Sequence, residues 1–258
     1  MRLFFAFLSM HFKGQMQHKA SFFLTVLGQF LSSFTAFLGV YFMFSRFHEV
    51  DGFTYPQILL CFAIMLMAFS LAEIFGRGFD TFPRMLSNGE LDRALVRPKN
   101  IIFLVLIERI DFRRLGSLAQ SVLVFAYAIP ASGVIWSWDK AITLCLMVFC
   151  GSLLFMGLFL VYAALTFFTI EGLEFMNILT YGGFQFGRYP YVIYGEGLLR
   201  FLTYGIPLAL VQYYPLLYLL DKKQGVLYML TPLLGLLFLL PCYGFFQFGL
   251  RHYKSTGS

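Results

Sequence analysis

Apolar residues fall in long runs separated by short polar stretches. The runs at about 20 to 45, 56 to 75, 115 to 135, 141 to 170 and 226 to 250 are predominantly apolar and nearly free of charge. A helix needs about 20 such residues to cross a hydrocarbon core of roughly 30 Å. Transmembrane β-strands would instead alternate apolar and polar over about ten residues, a pattern absent here. The spacing therefore predicts an all-α polytopic membrane protein, residues 1–258 forming a single transmembrane domain with about six transmembrane helices.

Ahead of the first run, residues 1–19 place Leu3, Phe4, Phe7 and Leu8 at helical spacing with Phe12 one turn on, among Arg2, His11, Lys13, His18 and Lys19. This pattern predicts an interfacial helix, the alternative being an extension of the first span; neither has the form of a cleavable signal. Between the second and third runs, residues 76–114 are polar and carry eight Arg or Lys. With the cations before the first span and after the last, thirteen of the 19 Lys and Arg fall on one side. The positive-inside rule makes that side cytoplasmic, together with both termini.

The stretch from Glu171 to Lys223 is rich in Gly and Pro and must contain one net crossing. One layout has a crossing at about 172 to 188 followed by short helices dipping back from the outer face over about 190 to 220. The other has a loop to Arg200 and a crossing from Phe201 to Leu220, which hydropathy favours. Broken helices at membrane depth need cover from protein or water.

Composition fits this picture, with 59% hydrophobic and 12% charged residues. The net charge of +6 comes from cations flanking apolar spans, which argues for topology and against nucleic acid. The four cysteines sit inside apolar runs and read as small buried hydrophobes, with no zinc-ligand spacing. No Gly-x-x-x-x-Gly-Lys-Ser/Thr, His-Glu-x-x-His or Gly-x-Ser-x-Gly occurs. No catalytic or metal residue is therefore expected, and any nucleotide would bind a partner. Glu73 is placed at a cytoplasmic helix end, and Glu171 and Glu174 beside the exit of the fourth span, so the usual residues of ion coupling are missing. A membrane-embedded enzyme using Glu171 and Glu174, or a nucleotide-independent carrier, stands as the alternative.

The most informative segment is Leu86-Ser-Asn-Gly-Glu-Leu-Asp-Arg-Ala-Leu-Val-Arg-Pro-Lys99. Asn88-Gly89 signals a turn, Glu90 to Val96 can form an amphipathic helix with Leu91 and Leu95 on one face, and Pro98 turns Arg97 out of helix. Such a helix can plug into a soluble partner. The phrase Gly89-Glu-Leu-Asp-Arg-Ala-Leu-Val-Arg-Pro98 resembles the Gly-Glu-Leu…Leu-x-Arg-Pro signature of six-span ABC type-2 exporter permeases. Tyr189-Pro-Tyr-Val-Ile-Tyr194, Ile206-Pro207, Tyr213-Tyr-Pro215 and Arg251-His-Tyr-Lys-Ser-Thr-Gly257 carry the likeness over the rest of the chain.

The resemblance implies a non-catalytic permease subunit in a bacterial inner membrane, paired with a second permease subunit, the same chain or another. Two ABC ATPase subunits carrying ATP and Mg would dock on its cytoplasmic loops. It makes Gly89, Glu90, Leu91, Leu95, Arg97 and Pro98 the candidate ATPase-coupling residues, and it favours the re-entrant layout on the outer face. Phe184, Phe186, Tyr189, Tyr191 and Tyr194 then either line an exit vestibule for an apolar substrate or form an interfacial aromatic belt.

Overall fold

The computed structural model describes residues 2–47, 49–169 and 174–253. Glu171 and the tail Lys254 to Ser258 lie outside the described residues. Helix α1 (Arg2–Gln15) leads through a short 3-10 turn into α2 (Lys19–Arg46). A two-residue hairpin follows, β1 (Glu49–Val50) against β2 (Phe53–Thr54). Its turn residues Asp51 and Gly52 have φ of 52° and 73°, the left-handed geometry that matches the twist of paired strands. Helix α3 (Tyr55–Asp80) starts directly after it, with Pro56 in the first turn and the Thr54 amide donating to Gln57 Oε1 at 3.2 Å.

Helix α3 is the centre of the molecule. Ile58 to Ile64 are all 0% exposed, because α7 (Leu115–Ala131), α8 (Trp138–Thr169) and the segments around Gly187 and Gln212 cover this half of the helix, while α6 (Ile101–Glu108) packs on its other end. Helix α8 runs parallel to α3, with Phe69 edge-on to Phe155 at 5.0 Å and Phe82 edge-on to Phe167 at 5.2 Å. Helix α7 runs antiparallel to α3, Tyr127 lying near Tyr55 and Arg114 near Glu73. Helices α14 (Val226–Gly235) and α15 (Leu239–His252) follow α8, joined by a 3-10 turn. Helix α2 packs mainly on α7 and leaves much of its length exposed.

Among the described residues, four helical stretches are long and apolar enough to cross a membrane: Leu3–Arg46, Tyr55–Ser87, Trp138–Thr169 and Val226–His252. The structure moves the start of the 76–114 segment and fills it with helix, whereas α7 begins at Leu115, where the third run was expected to start. Helix α3 continues to Asp80, and α4 (Phe82–Ser87), α5 (Glu90–Leu95) and α6 fill what the charge pattern marked as a loop. The reason is burial: Phe79, Phe82, Met85 and Leu86 face the core between the arginines, and α6 is wholly apolar before Glu108. Helix α6 lies so close to α3 that a side chain on Gly78 would meet the Val105 carbonyl. Gly116 of α7 meets the Val26 carbonyl of α2 in the same way.

After α8 the chain returns alongside α3 as a broken helix: α9 (Phe175–Asn177), a π turn over Ile178–Gly182, and α10 (Gly183–Phe186). Residues 201–220 are not one continuous helix. They divide among α11 (Glu196–Tyr204), α12 (Leu208–Val211) and α13 (Tyr213–Leu219), with breaks at Gly205 to Pro207 and at Gln212. Gln212 is fully buried and its Nε2 donates to the carbonyls of Tyr189 at 2.9 Å and Gly187 at 3.2 Å. That amide pins the short helices over the Tyr55 end of α3, where Lys140 pairs with Asp221 at 2.7 Å and Lys222 reaches the Gly52 carbonyl at 2.6 Å.

Gly78→Ala and Gly116→Ala should each lower stability by about 1–3 kcal/mol, because neither carbonyl can move without shifting a helix. Gly28→Ala, with nothing within 4 Å, should be neutral or stabilising. Thermal unfolding in detergent decides, and equal midpoints for all three would sink the close-approach argument.

Candidate functional site

Two features stand out, one at each end of a mechanical line through α3. The first is the surface built by α4, α5 and the turn to α6. Gly89 begins α5 with φ of 65°, a conformation that a residue with a Cβ adopts only with strain. Leu91 is 0% exposed and Ala94 is buried, so α5 rests on α4 and α6 through these two side chains. Glu90 is half-buried and accepts from Asn88 Nδ2 at 3.3 Å.

Leu91 and Leu95 stand one turn apart on the same side of α5, as the spacing predicts, but only Leu91 is buried. Ala94 and Leu95 lie on opposite sides of Leu91 around the helix, and the core takes the Ala94 side. Leu95 is thereby turned outward, 43% exposed, and Val96 is 83% exposed. Arg93, Arg97, Pro98 and Lys99 are exposed around them. Val96, expected as the last residue of the helix and not among the candidate coupling residues, falls just beyond α5. Asn100 then closes the edge by capping α6, its Oδ1 accepting from the Ile102 amide at 2.9 Å.

The second feature is a polar cleft of about 140 Å³ between α2, α3, α7 and the broken helix. Glu73 is at its base, 1% exposed. Its Oε1 accepts from Arg114 Nη2 at 2.6 Å and from Tyr181 Oη at 2.8 Å, with Arg77 Nη1 at 3.6 Å. Arg77 also pairs with Asp80 at 2.6 Å, and Arg114 Nη1 donates to Gln29 Oε1 at 2.8 Å. Further along, Ser33 and Ser117 share a 2.8 Å hydrogen bond, and Ser70 and Gln185 complete the polar wall. Arg188 closes the opposite end, its guanidinium 4.9 Å from the centre of the Phe184 ring and 5.9 Å from that of Phe62. Glu73 Oε2 and Arg188 Nε have no hydrogen-bond partner among the described residues. A cleft with free acceptor and donor atoms beside aromatic faces can hydrogen-bond polar groups of a molecule while covering its apolar parts.

The sequence had placed Glu73 only at a helix end. The signal for the cluster was the spacing of Glu73, Arg77 and Asp80, which share one face of α3 at i, i+4 and i+7. The five aromatic residues read as one vestibule separate in the structure. Phe184 stacks on Phe69 at 4.5 Å, and Tyr191 is fully buried with its hydroxyl donating to the Gly183 carbonyl at 3.1 Å. Tyr189 and Tyr194 are half-buried, and only Phe186, edge-on to Tyr194, is exposed among the five. Of this set, Phe184 alone lines the cleft. Glu174 is exposed, and Glu171 lies outside the described residues. Among the described residues no group of three or more His, Cys, Asp or Glu side chains comes together.

Arg114→Gln removes the nearest cation from the buried Glu73 carboxylate, leaving it Tyr181 and the more distant Arg77, and should cost up to about 3–5 kcal/mol, as loss of one partner from a buried pair does. Glu73→Gln combined with Arg114→Gln should recover most of that loss, since no uncompensated charge remains. Unfolding in detergent of the two single variants and the double variant measures the coupling. A double variant as unstable as the sum of the singles would mean that the pair is not coupled.

A family model described as ABC-2 family transporter protein matches residues 30–257. No curated protein matches the chain, and no solved structure does. The matched region includes α3, the α4 to α6 surface, most of the cleft and all of the broken helix. This all-α, membrane-spanning chain therefore belongs to the ABC-2 family of transporter proteins.

Proposed function

We propose that the chain is the permease subunit of an ATP-binding-cassette exporter. It forms half of a translocation pathway with a second permease subunit and is driven by two separate ATPase subunits that carry ATP and Mg. The observation that carries this reading is the exposed edge of α5, where Leu95 and Val96 face outward while Leu91 and Ala94 are buried, ringed by Arg93, Arg97 and Lys99. Exposed apolar side chains with flanking charge suit a groove on a soluble protein. This edge would face the cytoplasm of a bacterial inner-membrane protein, along with both termini, in keeping with the cation distribution.

Force applied to that edge has a short route inward. Helix α5 rests on α4, which continues α3 after a single break at Thr81, and α6 braces the same stretch through Gly78. A tilt of this unit moves Glu73 and Arg77 against Arg114 of the α7 entry, Gln29 of α2 and Tyr181 of the broken helix. Rearrangement of that network would open or close the cleft, which gives ATP-driven closure of the ATPases a means to alter the pathway.

Leu95→Asp with Val96→Asp leaves Leu91 and Ala94 in place, so the membrane domain should stay folded while docking is lost. Affinity purification of the tagged chain from its native host should bring down an ATPase with the wild type, and about tenfold less or none with the variant. A well-behaved wild type that brings down no ATPase, or that moves substrate in liposomes without nucleotide, would refute the proposal.

A further inference from the structure

A basic pocket of about 220 Å³ opens where α1 crosses the base of α3, next to but separate from the polar cleft. Helix α1 is fixed over it by side-chain bonds to the turn after α6. His11 Nε2 lies 2.9 Å from the Ile107 carbonyl, Gln15 Nε2 donates to the Ile110 carbonyl at 2.6 Å, and Gln15 Oε1 accepts from the Phe112 amide at 3.0 Å. The walls carry Arg77, Arg84, Arg109 and Arg113.

Two of these arginines are already neutralised. Arg77 pairs with Asp80 at 2.6 Å, and Arg113 grips Asp111 with two bonds of 2.7 and 2.8 Å. Burial works to raise the Asp111 pKa, but the side-chain and backbone hydrogen bonds from Arg113 outweigh it and hold the carboxyl below its ordinary value. Asp111 is therefore ionised at neutral pH and spent on Arg113. Arg84 and Arg109 have no ion pair within 4.0 Å among the described residues. Glu90 and Glu108 border a separate groove on which Arg109 also lies, without pairing with it. Two positive charges in one pocket are left without a partner.

An aromatic edge adjoins the pocket, next in the chain to its lining residues His11 and Asp111. Phe12 is 42% exposed and meets Phe112 edge-on at 5.3 Å. Phe5, two turns earlier on the same face of α1 as Phe12, is 61% exposed. A cationic pocket next to an apolar helix surface fits a molecule with an anionic head and hydrocarbon chains lying along that surface. A free phosphate would use the charge and leave the aromatic edge idle.

We propose that this pocket binds the headgroup of an anionic phospholipid, and that a headgroup with two phosphates, one for each of Arg84 and Arg109, fills it best. Its acyl chains lie along Phe12 and the exposed face of α1. The bound lipid ties α1 to the base of α3, the stretch that carries α4 and α5. The site does not depend on what the transporter moves.

The test uses the full-length chain, with any subunits that copurify, delipidated in detergent. Native mass spectrometry and thermal shift are recorded with tetraoleoyl cardiolipin, dioleoyl phosphatidylcholine and sodium pyrophosphate. Cardiolipin should remain bound and raise the unfolding midpoint, whereas phosphatidylcholine and pyrophosphate should do neither. Arg84→Gln with Arg109→Gln should weaken cardiolipin binding about tenfold or more. Arg84→Lys with Arg109→Lys should keep most of it. Arg46→Gln with Lys223→Gln, which removes the same charge at the other end of the bundle, should have no effect. Undiminished binding in the Gln pair, equal loss in the distant pair, or protection by pyrophosphate equal to that by cardiolipin would each overturn the assignment.

Discussion

Glu73 is a carboxylate with 1% exposure on the most buried helix of the molecule, and removing such a charge from water costs several kcal/mol unless partners meet it. The partners come from elements far apart in the chain: Arg114 at the entry to α7, and Tyr181 on the π turn of the broken helix. Gln29 of α2 holds Arg114 in turn. Satisfying one charge thus sets the register of four elements. Apolar packing alone would tolerate small sliding of these helices, whereas a guanidinium at 2.6 Å from its carboxylate does not. That the second carboxylate oxygen is left without a partner shows that the network is not closed.

Around that constraint, the bundle has a stiff centre and a looser periphery. Helix α3 is enclosed by α6, α7 and α8, and two glycines let neighbouring backbones approach where any side chain would intervene. Helix α2 is attached mainly along one side. At the Tyr55 end, the short helices are held by polar pins, Gln212 and the Lys140–Asp221 pair. Gln212 satisfies backbone carbonyls at Gly187 and Tyr189 that no regular helix takes up.

Much of this was legible in the sequence for a simple reason. Lipid-facing and core-facing positions of a spanning helix are both apolar, so length of run carries the information. The same fact hid α6: Ile101 to Ile107 is apolar but short, and the arginines around it dominated the reading of residues 76–114. Charge proximity was invisible as well, since Gln29, Glu73, Arg114 and Tyr181 belong to separate elements and only their packing brings them together. At α5 the helical period was right, but it gives relative angles and not the direction of the core. One neighbour on the Ala94 side was enough to turn Leu95 outward. The aromatic run from Phe184 to Tyr194 dispersed because α10 ends at Gly187 and a 3-10 turn begins at Tyr191, so adjacent rings point to different surroundings.

Helix α7 has 17 residues and is about 26 Å long, less than a typical hydrocarbon core. Val122, Leu123 and Tyr127 on its outer side are about half exposed, so α7 has an apolar outer side, flanked by Arg113 and Arg114 at one end and by Trp136, bonded to the Ile129 carbonyl, at the other. Hydrophobic mismatch follows from this length: beside α7 the bilayer has to thin, or the flanking side chains have to snorkel outward to reach the headgroups. The cost of that adjustment depends on acyl chain length, so membrane thickness enters the conformational energetics of this protein through its shortest continuous wall.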